Sequence, residues 1–416
     1  MPKPTSLVHR RRTRRLIAAG GMPLALVMGD VDLVRALGVA GISCAFFGRP
    51  DEPARFSRHV GASLPWIDQW ERQDELVAAL LDFARSQPEP PVLFPQTDAT
   101  LLLASRHRER LAEDFRSTLA DPELIERLVD KSRFQELAAR HALPVPHAER
   151  LHPARGEPPP ELEVSFPLVI KPLTRTPCWT RLAGQSKALH MRSAEDFADA
   201  WPLLRELPTD LLAQELISGP ESCIESFHAY VDEAGALAGE FVGRKIRTFP
   251  AEYGRSTAVE IVDLPDVARA GREVLSQLAL RGVAKLDFKR DVRGRLHLLE
   301  INPRFNLWHY PGALAGVNLP ATVYADLTGR PRPGAAATPR PVRWCDPLQD
   351  IRAAHAAGIS PRAWLGSLLR CRAISGLAWR DPLPFLRGKL WAAVWRRVAR
   401  RAVSAAPRAG TTPTVP

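Results

Sequence analysis

The sequence predicts an α/β unit followed by an α+β unit, with a small helical extension at the end. Three observations carry that reading. Between residues 22 and 125, short apolar runs alternate with helical patterns, the order expected of a parallel, doubly wound sheet. From 126 to 333, pairs of alternating runs that read as hairpins mix with helices. From 334 to 416, a proline- and alanine-dense linker gives way to helical patterns. Residues 1–21 precede these units as a basic, flexible N-terminus, with Met22 as an alternative start.

The elements follow in order. PLALVMG (23–29) reads as a buried strand, DVDLVRALGVAG (30–41) as a helix ending at glycine, and ISCAFFG (42–48) as the next strand. QDELVAALLDFARSQ (73–87) is a helix, PVLFPQ (91–96) a strand, and a further helix runs from Asp98 to His107. No GxGxxG follows the first strand, which argues against a dinucleotide site there. Residues 121–146 read as a helix pair with an extended Pro-x-Pro exit, and 153–160 as a loop. FPLVIKP (166–172) and LLAQELI (211–217) are strands flanking a helix at 194–207 that Pro202 interrupts. CIESFHAYV and ALAGEFVGRKI form a hairpin across DEAG (232–235), and 266–280 is a helix. The extension carries a helical segment at 346–370 and an amphipathic run at 385–403 with Trp391 and Trp395 on its apolar face.

Composition narrows the class. Hydrophobic residues make up 45% and charged residues 25% of the chain, a globular balance. No apolar run is long enough to span a bilayer. The five cysteines show no CxxC or metal spacing, which fits a reducing compartment. The net charge of +11 is uneven: residues 1–15 carry +6 and residues 382–416 carry +7, so the body between them is close to neutral. RRRTRR near the start invites a twin-arginine export reading, but the apolar run after Met22 is better used as the first strand.

The most informative segment is KLDFKRD (285–291) with HLLEINPR (297–304). Both runs alternate, and a turn centred between Arg293 and Gly294 sets Asp287 across from Glu300 and Lys285 across from Asn302. Leu286, Phe288, Leu299 and Ile301 then share the apolar face. Like charges directly opposed on a sheet are destabilising. Two carboxylates and an amide oxygen suit a hard cation such as Mg²⁺ carrying a nucleotide phosphate. A solvated face, with the carboxylates paired to Lys285 and Lys289, is the alternative at this level. Upstream, Lys171 ends an apolar strand and Lys131 follows Asp130; either could meet a phosphate or simply reach solvent. Gln214 and Glu215 interrupt an apolar strand and need partners, which an adenine edge or water could supply.

Taken in order, DK (130–131), VIKP (169–172), QELISGPE (214–221), KLDF (285–288) and EINPR (300–304) resemble the motifs of the ATP-grasp superfamily. Residues 22–125 look like the Rossmann-like domain that usually precedes it, and 126–333 like the two-lobed ATP-grasp domain itself. RKIRTFPAEYGRST (244–257), DPLQDIRAAHAAGIS (346–360) and WRDPLPF (379–385) resemble a carboxylate–amine ligase-like branch related to carbamoyl-phosphate synthase large-subunit domains. The resemblance implies ATP and Mg²⁺, with Mn²⁺ as a substitute. It implies Lys131 and Lys171 on phosphates, with Lys171 also catalytic. Gln214, Glu215, Leu216 and Ile217 would receive adenine and Glu221 the ribose. Asp287, Glu300 and Asn302 would hold the metal, and Arg304 would stabilise the transferring phosphoryl group. The stretch 174–188 departs from the family's glycine-rich lid, having only Gly184, so lid closure would fall to Arg175, Arg181 or Lys187.

The implied reaction joins a small-molecule carboxylate to an amine through an acylphosphate, in the cytoplasm. Arg244, Lys245, Arg247 and Arg255 are the candidates for contact with substrate. The other class is a catalytically inactive nucleotide-binding or membrane-associated scaffold on the same shell. A homodimer is a partner option, and the terminal run 386–403 either packs on the body or lies on the inner face of an anionic membrane. No aromatic-interleaved basic platform points to nucleic acid.

Overall fold

A computed structural model describes residues 21–153, 157–173, 177–184, 186, 188–252, 254–336 and 338–391. Three sheets organise them. The first is parallel, with strands β1 (Ala25–Met28), β2 (Cys44–Phe46), β3 (Val60–Ser63) and β4 (Val92–Pro95) in the order β3-β2-β1-β4. β1, β2 and β4 are buried throughout, as a parallel sheet covered on both faces requires. Strand order reverses between β1 and β4, so a crevice opens at their carboxyl ends. Gly29 fits there because a Cβ would fall 2.0 Å from Gln96 Oε1, and that oxygen accepts from the Asp30 amide at 2.7 Å.

The second sheet is antiparallel, with β5 (Ala148–Leu151), β6 (Leu168–Pro172), β7 (Leu189–Met191) and β8 (Leu211–Glu215) in the order β5-β8-β6-β7. The helix Ala194–Leu204 lies over it and continues through Pro202 rather than breaking. Phe197, Trp201 and Leu204 of that helix, with Trp179, Leu168 and Leu211, form a core of their own.

The third sheet has seven strands: β9 (Ile224–Val231), β10 (Leu237–Phe249), β11 (Arg255–Val262), β12 (Gly282–Arg290), β13 (Leu296–Asn302), β14 (Val342–Cys345) and β15 (Ala373–Ile374). Their order is β13-β12-β9-β10-β11-β14-β15. Val27, Phe46 and Phe94 of the first sheet share one core with Phe241, Val259 and Trp308 of this region, so these two parts are welded together.

Several elements differ from the sequence reading. β3, with the run VGAS, has only half-buried residues and lacks an apolar signature. The segment 255–262 is a full strand, and the extension contributes β14 and β15 to the sheet besides the helices Pro347–Ala356 and Pro361–Leu369. The extension is thus built into the main sheet as well as helical. Residues 384–391 form a wide π-type helical turn; the rest of the amphipathic run, like residues 1–20, lies outside the described residues.

Candidate active site

A cavity of about 410 Å³ opens between the second sheet and the outer face of the β12–β13 hairpin. That volume falls in the range of small-ligand sites. The hairpin pairs Lys285 with Asn302 and Asp287 with Glu300. Beyond Asp287 the register slips, and Phe288 faces Leu298. A bulge therefore inserts Leu299, and this corrects the apolar face: Leu298 is fully buried in the core, while Leu299 turns to the cavity. The turn is also one residue tighter in its centring. The Gly294 amide donates to the Asp291 carbonyl at 3.0 Å, and the Asp291 amide to the Arg295 carbonyl at 2.9 Å. Gly294 takes φ +80°, the left-handed position of a three-residue hairpin loop.

Asp287 is 2% exposed. Burial alone would raise its carboxyl, but Lys285 and Lys245 outweigh it, and the hydrogen bonds from Lys285 and Ser226 add to them. The net result holds Asp287 well below the usual carboxylate range, ionised at any physiological pH. Lys285 Nζ lies 2.6 Å from Asp287 Oδ2 and 4.0 Å from Glu300 Oε1. Glu300 is open to the cavity side, and the Asn302 amide donates to it at 3.1 Å. Among the described residues no three His, Cys, Asp or Glu side chains cluster as a metal site. The donor set is two opposed carboxylates plus the Asn302 amide oxygen, which now accepts from Arg304 at 3.1 Å. The lysine ammonium between the carboxylates shows that the position favours a cation, and all-oxygen donors fit Mg²⁺ in type.

The facing wall comes from β6 and β8. Lys171 Nζ donates to Gln214 Oε1 at 2.6 Å, which supplies the partner that buried Gln214 needs. Lys131 Nζ donates to the Pro172 carbonyl at 2.6 Å, so both lysine heads converge at the end of β6. Past β8 the chain leaves the sheet. The Glu215 and Leu216 amides are taken by the His147 and Pro167 carbonyls, at 2.8 and 3.1 Å. The Ile217 amide has no hydrogen-bond partner among the described residues. Glu215, Leu216, Ile217 and Glu221 all line the cavity.

The arginines predicted to meet substrate are placed elsewhere, except that Lys245 lines the cavity. Arg247 is held by Asp350 at 2.8 and 2.6 Å and by Ser367 at 3.1 Å, away from the cavity. Arg244 pairs with Glu260 at 3.1 Å. Arg255 is exposed and acts on Asp30 and Glu52 at the carboxyl end of the first sheet. Arg304 bridges the sheets: it donates to Asp98 Oδ1 at 2.6 Å and to the Gln96 carbonyl at 3.1 Å. Arg181 contacts Cys178 Sγ at 3.1 Å, and Arg175 and Lys187 lie outside the described residues.

Asp98, Leu299 and Lys289 are among the lining residues absent from the predicted set. Lys289 was legible, since alternation puts it on the face of Asp287. Its side chain is more than nine-tenths buried and makes no hydrogen bond or ion pair among the described residues. Burial lowers its ammonium below the ordinary lysine range, with Glu221 opposing the shift.

A family profile described as "ATP-grasp in the biosynthetic pathway with Ter operon" matches residues 208–347, which span β8–β14 and include the hairpin. A D-aspartate ligase of Enterococcus faecium is 26% identical over 291 residues, covering 66% of this chain and 68% of that one. The ADP complex of N5-carboxyaminoimidazole ribonucleotide synthetase superposes with TM-score 0.58 at 13% identity, covering 78% of this chain and 81% of that one. L-amino acid ligase from Bacillus licheniformis gives TM-score 0.55 at 14% identity and 74% coverage of each chain. Fold, motif order and sequence likeness agree, and the chain belongs to the ATP-grasp superfamily.

Proposed function

We propose that the protein is an ATP- and Mg²⁺-dependent ligase that joins a carboxylate to an amine through an acylphosphate, with an amino acid as one reactant. One observation carries this reading: a single cavity gathers Lys131, Lys171, the 214–217 hinge, Glu221 and the opposed Asp287 and Glu300. These groups come from four separate stretches of chain and suit a nucleotide laid along the cavity. The Ile217 amide offers a donor to a base edge, and Glu221 offers acceptors to ribose hydroxyls. Lys131 and Lys171 offer point charges to phosphates.

A carboxylate is a poor acylating agent at neutral pH. In the proposed reaction its oxygen attacks the γ-phosphorus, the bond to the β-phosphate oxygen breaks, and ADP leaves. The amine nitrogen then attacks the acyl carbon, loses a proton, and expels inorganic phosphate. Bound Mg²⁺ would neutralise charge on the phosphates, with Asp287, Glu300 and Asn302 as its holders. Lys285 would yield its place between the carboxylates and turn its charge to the transferring group. Arg304 would exchange Asp98 for the developing charge on that group, a preorganised donor at the crevice mouth. Both named ligases, for D-aspartate and for L-amino acids, support an amino acid reactant.

The test is ADP release across a panel of amino acids, offered singly and in pairs, followed by mass spectrometry of the product. The reading expects ADP formation that depends on two reactants and a product lighter than their sum by one water. Nucleotide binding without turnover on any pair would favour the inactive shell instead.

A further inference from the structure

We propose that the folded C-terminal extension is a docking surface for an anionic lipid membrane. Residues 351–416 contain twelve basic residues and one acid, Asp381. Residues 1–350 contain 45 of each sign, so the whole net charge of +11 resides in the extension. The lone acid adds nothing to the surface. Asp381 is 3% exposed and is held by Arg35 at 3.3 Å, by Ser57 Oγ at 2.8 Å and by the Arg58 amide at 2.8 Å. The same contacts, with the Arg247–Asp350 pair, fix the described part of the extension to the body, and Arg362, Arg370, Arg372 and Arg380 are exposed on it.

Apolar side chains stand among these charges. Trp379 is fully exposed and Leu369 is 79% exposed, while Leu365 and Leu386 are about half exposed. On the helix Pro361–Leu369 no residue is buried, and Leu365 and Leu369 share a face at helical spacing with Arg362. Trp379, Leu377, Arg372 and Arg380 rim a cavity of about 640 Å³ with Arg58 and Tyr310. Adjoining exposed apolar groups rimmed by charge, as Leu377 and Trp379 are by Arg372 and Arg380, mark an interaction surface.

The identity of the partner follows from the mixture. Arginine alternating with tryptophan and leucine suits a headgroup layer, where the charge meets phosphate and the apolar tip enters the acyl boundary. A nucleic acid would meet the charge but leave the leucines in water. Five of the twelve basic residues, all arginines, belong to residues 392–416, which hold no acid. No helix among the described residues is long and apolar enough to cross a membrane, so the contact is peripheral.

The experiment is co-sedimentation of the full chain with vesicles of phosphatidylcholine alone and of phosphatidylcholine mixed with phosphatidylglycerol in equal parts. Binding is expected to the mixed vesicles only and to fall with salt. The triple variant Arg370→Gln, Arg372→Gln, Arg380→Gln should bind roughly fivefold more weakly per arginine removed. Trp379→Ser should weaken binding further, and both variants should melt like the wild type. Absence of binding to the mixed vesicles would overturn the proposal. So would wild-type-like binding by both variants, or tighter binding to duplex DNA that Trp379→Ser leaves unchanged.

Discussion

Lys289 shows how a single side chain can report on the ligand. Its stem is buried while the residue lines the cavity, with Glu221 the acid that acts on it most, so its charge is placed to meet an acceptor entering that space. In the proposed complex that acceptor belongs to the nucleoside end, beside Glu221. Lys289→Met should weaken ADP binding about tenfold, the worth of one charge-assisted hydrogen bond, without lowering the melting temperature. Titration calorimetry with ADP and with adenosine checks this; equal affinity of wild type and variant for both would remove Lys289 from the site. The residue scale is also where the sequence misled. Arg244 and Arg247 looked available for substrate because a charge in a sequence has no direction. Their partners, Glu260 and Asp350, lie 16 and 103 positions away and become visible only in the fold.

At the scale of elements, the β12–β13 hairpin carries the site. Strict alternation made the opposition of Asp287 and Glu300 readable, because side chains two apart share a face. The bulge was not readable, since an extra residue leaves no mark in composition, and so Leu299 was assigned to the core in place of Leu298. The two leucines now make opposite predictions. Leu298→Ala should cost about 2–5 kcal/mol of stability, as for a buried leucine. Leu299→Ala should cost much less and instead weaken nucleotide binding. Denaturant titration of both variants alongside ADP affinity distinguishes them, and equal destabilisation would contradict the bulge. β14 and β15 were hidden for another reason. They are short and have no periodic pattern of their own; β14 is held by pairing to β11 and β15 by pairing to β14.

At the scale of the molecule, the parallel sheet and the seven-stranded sheet share one core, whereas the small lobe of β5–β8 has its own. That division accords with the two-lobed arrangement that the motif order implied. The shared core also contains His228 and His309, whose ring nitrogens are buried without partners. Burial lowers His309 to about 3 and pushes His228 well below its ordinary value. Both are neutral in the folded state, while the unfolded chain takes up protons below about pH 6.5. Stability should therefore fall as pH drops through the window from about 6.5 toward 4, by up to ~1.4 kcal/mol per unit per histidine. Urea unfolding across that window checks this, and His309→Leu should flatten the slope. The account as a whole rests on a divalent ion gripped between Asp287 and Glu300. Its most direct test is the affinity for ADP, measured with and without Mg²⁺, in the wild type and in the Asp287→Asn, Glu300→Gln double variant. Mg²⁺ should tighten binding at least tenfold in the wild type and hardly at all in the variant. Equal response to Mg²⁺ in the two proteins would contradict the account.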